Sequence, residues 1–188
     1  PGAVLVADRA TLGLNPAAAV TDVALFEAGL RAAGRAPSAV EKQARLTEAI
    51  GHYRGELLPG YFDEWVLPER GRLAEAFAQA LGELTALHER AGDLPHALQL
   101  AHRGVAADPL REEAQHDLIR LLIAARQPEA ALRQYRELER LLEQELGAEP
   151  SAATRALIHE IEHHAGKVQH GGTETRLSLI HISEPTRQ

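Results

Sequence analysis

Two histidines four residues apart, the first followed by a glutamate, are the residues of this sequence whose types and spacing could do chemistry. The segment is His159-Glu160-Ile161-Glu162-His163, an HExxH pattern. On a helix, positions i and i+4 share a face, so both imidazoles could hold zinc while Glu160 served as general base. A third ligand is needed. Gly166 falls where the longer pattern HExxHxxGxxH has its glycine, but the ligand position is Gln169, and His170 misses it by one. That pattern also needs a methionine turn, and the chain has no Met. With 10 His and 27 acids, chance alone supplies an HExxH in roughly one such chain in twenty. We read the segment as a surface helix end.

The remaining candidates are weaker. His52, His88, His96, His102 and His116 lie in helical segments at scattered phases and read as surface or helix-end side chains. No serine sits in a nucleophile-elbow setting. Absence of Cys excludes disulfides and thiolate chemistry, and fits a reducing compartment. The sequence therefore assigns no catalytic residue, no metal ligand and no cofactor site. The expectation is a protein that is not an enzyme.

What must position any functional surface is a helical scaffold. Hydrophobic residues make up 45% of the 188-residue chain and aromatics only 4%, so the core must be mostly Leu, Ala, Ile and Val, a mixture that favours helix. The net charge of −7 argues against a nucleic-acid-binding face on this part of the protein. No apolar run approaches the roughly 18 residues of a membrane span. The expected location is cytoplasmic. The chain has no initiator Met and no signal segment, and it reads as a fragment.

Val4 to Val6 and Thr11 to Leu14 read as a β-hairpin, with Asp8-Arg9 between them and Asn15-Pro16 closing the pair. Helices are expected from there on. Asp22 is placed to cap the first, over Val23 to Ala33. Ser38 and Glu41 form a capping box opening the second, which runs to about Tyr53. Leu57 to Trp65, with Pro59-Gly60, reads as a packed loop with one short turn. Pro68 suits a first helical position. Leu73, Phe77, Ala80, Leu84, Leu87 and Ala91 then recur at spacings of three and four, one apolar face of a long helix. Breaks at Gly92-Asp93, Asp108-Pro109, Arg126-Gln127-Pro128 and Gly147 separate the following helices, and Ser151 caps a last one through about His164.

Shifting the chain by 34 residues lays Ala80 on Ala114, Leu84 on Leu118, Leu87 on Leu121, Ala91 on Ala125, Ala97 on Ala131 and Leu98 on Leu132. The break at Gly92-Asp93 falls on Arg126-Gln127. A helix–turn–helix period of 34 is that of the tetratricopeptide repeat (TPR). Each such hairpin has one apolar face and covers it with the next. The fold expected is all-α, TPR-like hairpins stacked as a right-handed α-solenoid.

Three segments carry a resemblance to a known family. One is Tyr53-Arg54-Gly55-Glu56-Leu57-Leu58-Pro59-Gly60, followed by Glu64-Trp65-Val66 and Arg70-Gly71-Arg72-Leu73. The second is Ala106-Ala107-Asp108-Pro109-Leu110-Arg111-Glu112-Glu113-Ala114. The third is Gln134-Tyr135 through Leu146-Gly147-Ala148-Glu149-Pro150-Ser151. Together they resemble the bacterial transcriptional activator domain of the antibiotic-regulatory-protein family, found mainly in actinobacteria. The resemblance spans roughly Thr21 to His164, and Asp22-Val23-Ala24-Leu25-Phe26-Glu27 looks like that domain's first helix. The hairpin before it resembles the last wing of an OmpR-type winged helix, a domain that binds DNA in the family.

The resemblance implies a C-terminal wing of a truncated winged helix at 1–15 and the activator domain at 20–166; the polar, Gly-rich stretch at 167–176 reads as a linker, and 177–188 is a tail apart from any domain. The resemblance also implies a module for self-association and for contacts with the transcription machinery. DNA would be bound only through a domain upstream of Pro1, and no membrane is involved. A TPR-type adaptor from another signalling or ATPase protein is the alternative. Aromatics are enriched at contact hot spots, which makes Tyr53, Tyr61 and Trp65 the candidate interaction surface. Their other reading is that they pin the loop to the first hairpin. The segment Leu177 to Arg187, LSLIHISEPTR, resembles one translated frame of a transposase-type sequencing adapter and is set apart from the fold.

Overall fold

Apolar residues at helical spacing, punctuated by caps and left-handed stops, give the chain its architecture. The structure is a computed structural model that describes residues 4–7, 9, 12–15 and 17–159. A short antiparallel hairpin comes first: β1 (Leu5–Ala7) pairs with β2 (Leu12–Leu14), Leu5 opposite Leu14 and Ala7 opposite Leu12. The strands lie one residue later at each start than the sequence pattern predicts. Val4, Leu5, Val6 and Leu14 are each at least half exposed, as expected for two strands too small to bury an apolar face.

Among the described residues six bounded helices follow: α1 (Asp22–Gly34), α2 (Ala39–His52), α3 (Val66–Arg90), α4 (Leu94–Ala107), α5 (Glu112–Ala124) and α6 (Pro128–Leu146). A seventh, α7, covers 152–159 of the described residues. Consecutive helices pack on one another from α1 through α6. The all-α, TPR-like expectation therefore holds, with a small two-stranded sheet at the start.

Local chemistry explains the boundaries and corrects two of them. The cap of α1 is Thr21, whose hydroxyl accepts the Ala24 amide at 3.1 Å; Asp22 is the first helical residue. An N-cap must keep an extended backbone, and Thr21 does so. Ser38 caps α2 as expected, accepting from the Glu41 amide, while the Glu41 carboxylate faces Arg45 at 3.8 Å. Helix α3 starts two residues before Pro68. Proline is tolerated there because amides of the first turn have no helical partner anyway. Gly147 ends α6 in the left-handed conformation, φ 61°.

The 34-residue period is physical. The α3–α4 and α5–α6 turns carry the same backbone bonds 34 residues apart. Gly92 N donates to Glu89 O, as Arg126 N does to Ile123 O; Asp93 N donates to His88 O, as Gln127 N does to Leu122 O. Residues 92 and 126 are both left-handed, at φ 77° and 59°. Leu84 and Leu118, like Ala97 and Ala131, are buried at matching positions. Small residues let helices approach: at Gly29 of α1 a Cβ would stand 2.7 Å from that of Ala49 in α2.

Two cores result. Phe26, Leu46, Leu73, Phe77, Leu81 and Leu84 lead the first, with half-buried Tyr53 packed against them. Leu118, Ile119, Leu121, Leu138, Leu142 and Ile158 lead the second. Charged pairs tie alternate helices: Glu27 to Arg72, Glu75 to Arg111 in a two-pronged contact at 2.6 and 3.1 Å, and Glu89 to Arg120. Between α5 and α7, Glu112 Oε1 instead accepts from the Thr154 hydroxyl and the Ser151 amide, each at 2.7 Å.

Candidate interaction surface

The α2–α3 connection, residues 53–65, is where the helical stack presents something other than charge. Tyr53 begins it from inside. Its ring stacks on Phe77 at 4.1 Å and tilts against Phe26 at 5.6 Å. Burial, with the nearby Glu56 carboxylate, pushes its phenol up from the ordinary value. Tyr53 is therefore the loop's anchor, so the pinning role foreseen for the three aromatics belongs to it.

Arg70, on the first turns of α3, shapes the rest. Its side chain is largely buried and donates to the carbonyls of Leu57 (2.7 Å), Leu58 and Tyr61 (2.8 Å), while pairing with Glu56. A guanidinium suits this work because its donors form a rigid planar fork. Leu58 is held at φ 47°, a conformation that a branched side chain disfavours, with its carbonyl facing Arg70.

Held this way, the loop turns large apolar side chains outward. Tyr61 is 60%, Phe62 76% and Trp65 62% exposed, and Leu58 and Leu67 are also exposed. Arg70 lies under the Phe62 ring at 5.8 Å. The Leu57 to Trp65 loop, expected to be packed, is so only in part: Leu57 packs against the first core, as Tyr53 does before it, while Tyr61 and Trp65 do not. Phe62 was missed. The signal for it was present, since Tyr61, Phe62 and Trp65 are three of only seven aromatics in the chain, gathered in five residues.

Behind the loop, a groove of about 750 Å³ runs between α3 and the end of α4. Arg70 and Arg111 in its wall are engaged by Glu56 and Glu75. Arg103 donates to the Ile50 carbonyl at 2.9 Å and lies 5.1 Å over the Phe77 ring. Its lining holds no nucleophile–base pair. The region offers exposed apolar and aromatic side chains beside a partly neutralised charged groove.

Elsewhere the structure joins two histidines that the sequence pattern left scattered. The rings of His88 and His96 stack at 5.2 Å, and the Nδ1 atoms of both contact the Asp93 carboxylate. His116 contacts Thr154 at 3.3 Å. Of the HExxH segment only His159 is among the described residues; Glu160, Glu162 and His163 lie outside them, as do the 167–176 linker and the 177–188 tail.

The profile of the bacterial transcriptional activator domain matches residues 21–162. The chain belongs to that family. It is a domain of a transcriptional-activator-type regulator, and the family is defined by transcription regulation, not by a catalytic activity. Among solved structures, Mycobacterium tuberculosis EmbR, in complex with a low-affinity phosphopeptide, shares the fold at a TM-score of 0.61, with 23% identity over 92% of this chain. The chain spans about half of EmbR, 48% of its length. The C-terminal TPR-containing domain of a Plasmodium falciparum FK506-binding protein aligns at a TM-score of 0.52 and 13% identity, over 80% of this chain and 97% of that domain. No curated protein matches the chain in sequence. Both structural likenesses bear on fold, and both support stacked TPR-like hairpins. No helix among the described residues is long and apolar enough to cross a membrane.

Proposed function

We propose that this activator domain is a protein–protein interaction and oligomerisation module, working in the cytoplasm and without catalysis, and that the loop bearing Tyr61, Phe62 and Trp65 is its docking surface. The observation that carries the reading is the Arg70-clamped loop. A left-handed Leu58 and a largely buried guanidinium are spent on holding aromatic rings in water. Exposed apolar clusters of this kind mark contact surfaces. In the same reading, 1–15 is the final wing of a winged helix and 20–166 the activator domain. DNA is then bound by the region upstream, and self-association and contacts with the transcription machinery fall to the helices.

The test is light scattering of the full chain across a concentration series, beside a Tyr61→Ser/Phe62→Ser/Trp65→Ser variant. Because these side chains are exposed, the variant should keep its helical content. A parent that associates and a variant that stays monomeric would support the reading. Unchanged association in the variant would remove the loop as the docking surface.

A further inference from the structure

The turn between α3 and α4 gathers two imidazoles and a carboxylate. The Nδ1 of His88 lies 3.0 Å and that of His96 2.7 Å from Asp93 Oδ2, and the ligand atoms of the three residues all fall within 4.8 Å of one another. From this we infer that His88, Asp93 and His96 form a binding site for a divalent transition ion, zinc foremost, that fastens the end of α3 to the start of α4.

The equivalent turn shows that the fold does not need these residues. Thirty-four positions on, the same backbone closes with Leu122, Gln127 and Ala130 in their places. Capping alone does not explain them either. The bond from the His96 amide to Asp93 Oδ1 is long, 3.4 Å, while the carboxylate's short contacts go to the two rings. Two imidazoles and a carboxylate are a donor set that suits zinc, with water in the fourth place. Donors around such an ion stand about 3.4 Å apart, so each imidazole, now 3.0 and 2.7 Å from Asp93 Oδ2, needs to part from the carboxylate oxygen by only about half an ångström.

Outer contacts fit as well. A ligating imidazole usually gives its other N–H to a carbonyl or to water. His88 Nε2 meets the Gln43 side-chain amide of α2 at 3.0 Å; with that amide turned to present its oxygen, Nε2 donates and Nδ1 is left with its lone pair toward the ion. His96 is mostly exposed, so its Nε2 has water. The site is part-buried at His88 and open at His96, which leaves a path for entry.

The experiment is calorimetric titration of zinc chloride into the full chain and into an Asp93→Asn/His96→Gln variant, with ring ¹⁵N shifts of the histidines recorded at one equivalent. Asparagine caps helices as well as aspartate and His96 is exposed, so circular dichroism should report an unchanged fold. The expected result is that the variant binds one zinc equivalent fewer, that the rings of His88 and His96 shift in the parent, and that zinc raises the melting temperature of the parent alone. A Gln43→Ala variant should bind zinc roughly 10–100-fold more weakly. Equal stoichiometry and affinity in parent and double variant, or zinc shifts confined to other histidines such as those of the 159–163 segment, would overturn the inference.

Discussion

The α3–α4 turn and the α5–α6 turn share a backbone and differ in the left-handed and capping residues that close them. The first has Gly92 at its left-handed position and Asp93 as a capping residue. The second puts Arg126 in the same conformation and has no side-chain cap at Gln127. Both close, because the buried leucines and alanines on either side are the same: Leu84 and Leu87 with Ala97 in one, Leu118 and Leu121 with Ala131 in the other. The difference teaches that packing makes the hairpin and that turn chemistry only trims it. Stacked repeats gain most of their stability from faces shared with neighbours.

That comparison can be broken at several strengths. The largest effect is expected in the shared core. Leu84→Ala and Leu118→Ala should each cost about 3 kcal/mol in chemical denaturation, since both are fully buried; a loss at one position alone would mean that the repeats are not equivalent. Next is the left-handed residue. Gly92→Ala should cost about 1 kcal/mol, whereas Arg126→Gly should stabilise the chain by about 0.5 kcal/mol, strain relief partly offset by the unfolded-chain freedom of glycine. Capping follows: Asp93→Ala should lower stability by about 1 kcal/mol, and Gln127→Ala by almost nothing.

The smallest effect lies away from the turns, at the Glu75–Arg111 pair between α3 and α5. Hydrogen bonds from Arg111 and then Gln79 hold the Glu75 carboxyl at about 2, below its ordinary 4.5. A lowered folded-state value adds stability above the unfolded one and loses it as pH falls. The parent should therefore weaken between about pH 4.5 and 2. Arg111→Ala should flatten that slope, so that the melting temperatures of the two chains converge near the acid end.

The helical stack was legible because its signals are local or periodic. Leucines at spacings of three and four, Gly92-Asp93, Asp108-Pro109 and the Ser38 cap each act within a turn or two of chain. The loop was legible only in part. Its shape is set by Arg70, whose contacts reach back to Leu57, thirteen residues earlier, and no periodicity reports such a clamp. Tyr53, Tyr61 and Trp65 looked alike in sequence and part company in the structure, one stacked on Phe77 and two facing water. The pairing of His88 with His96 was not legible for a related reason: they belong to different helices, so helical phase does not make them neighbours.

Hydrogen exchange of the full chain, compared at low and high protein concentration, tests the central claim most directly. Association through the clamped aromatic loop predicts added protection at amides of residues 57–67 at the higher concentration, with the exposed faces of α5 and α6 unchanged. Protection that rises on α5 and α6 while 57–67 stays as it was would contradict the account and move the docking surface to the other end of the stack.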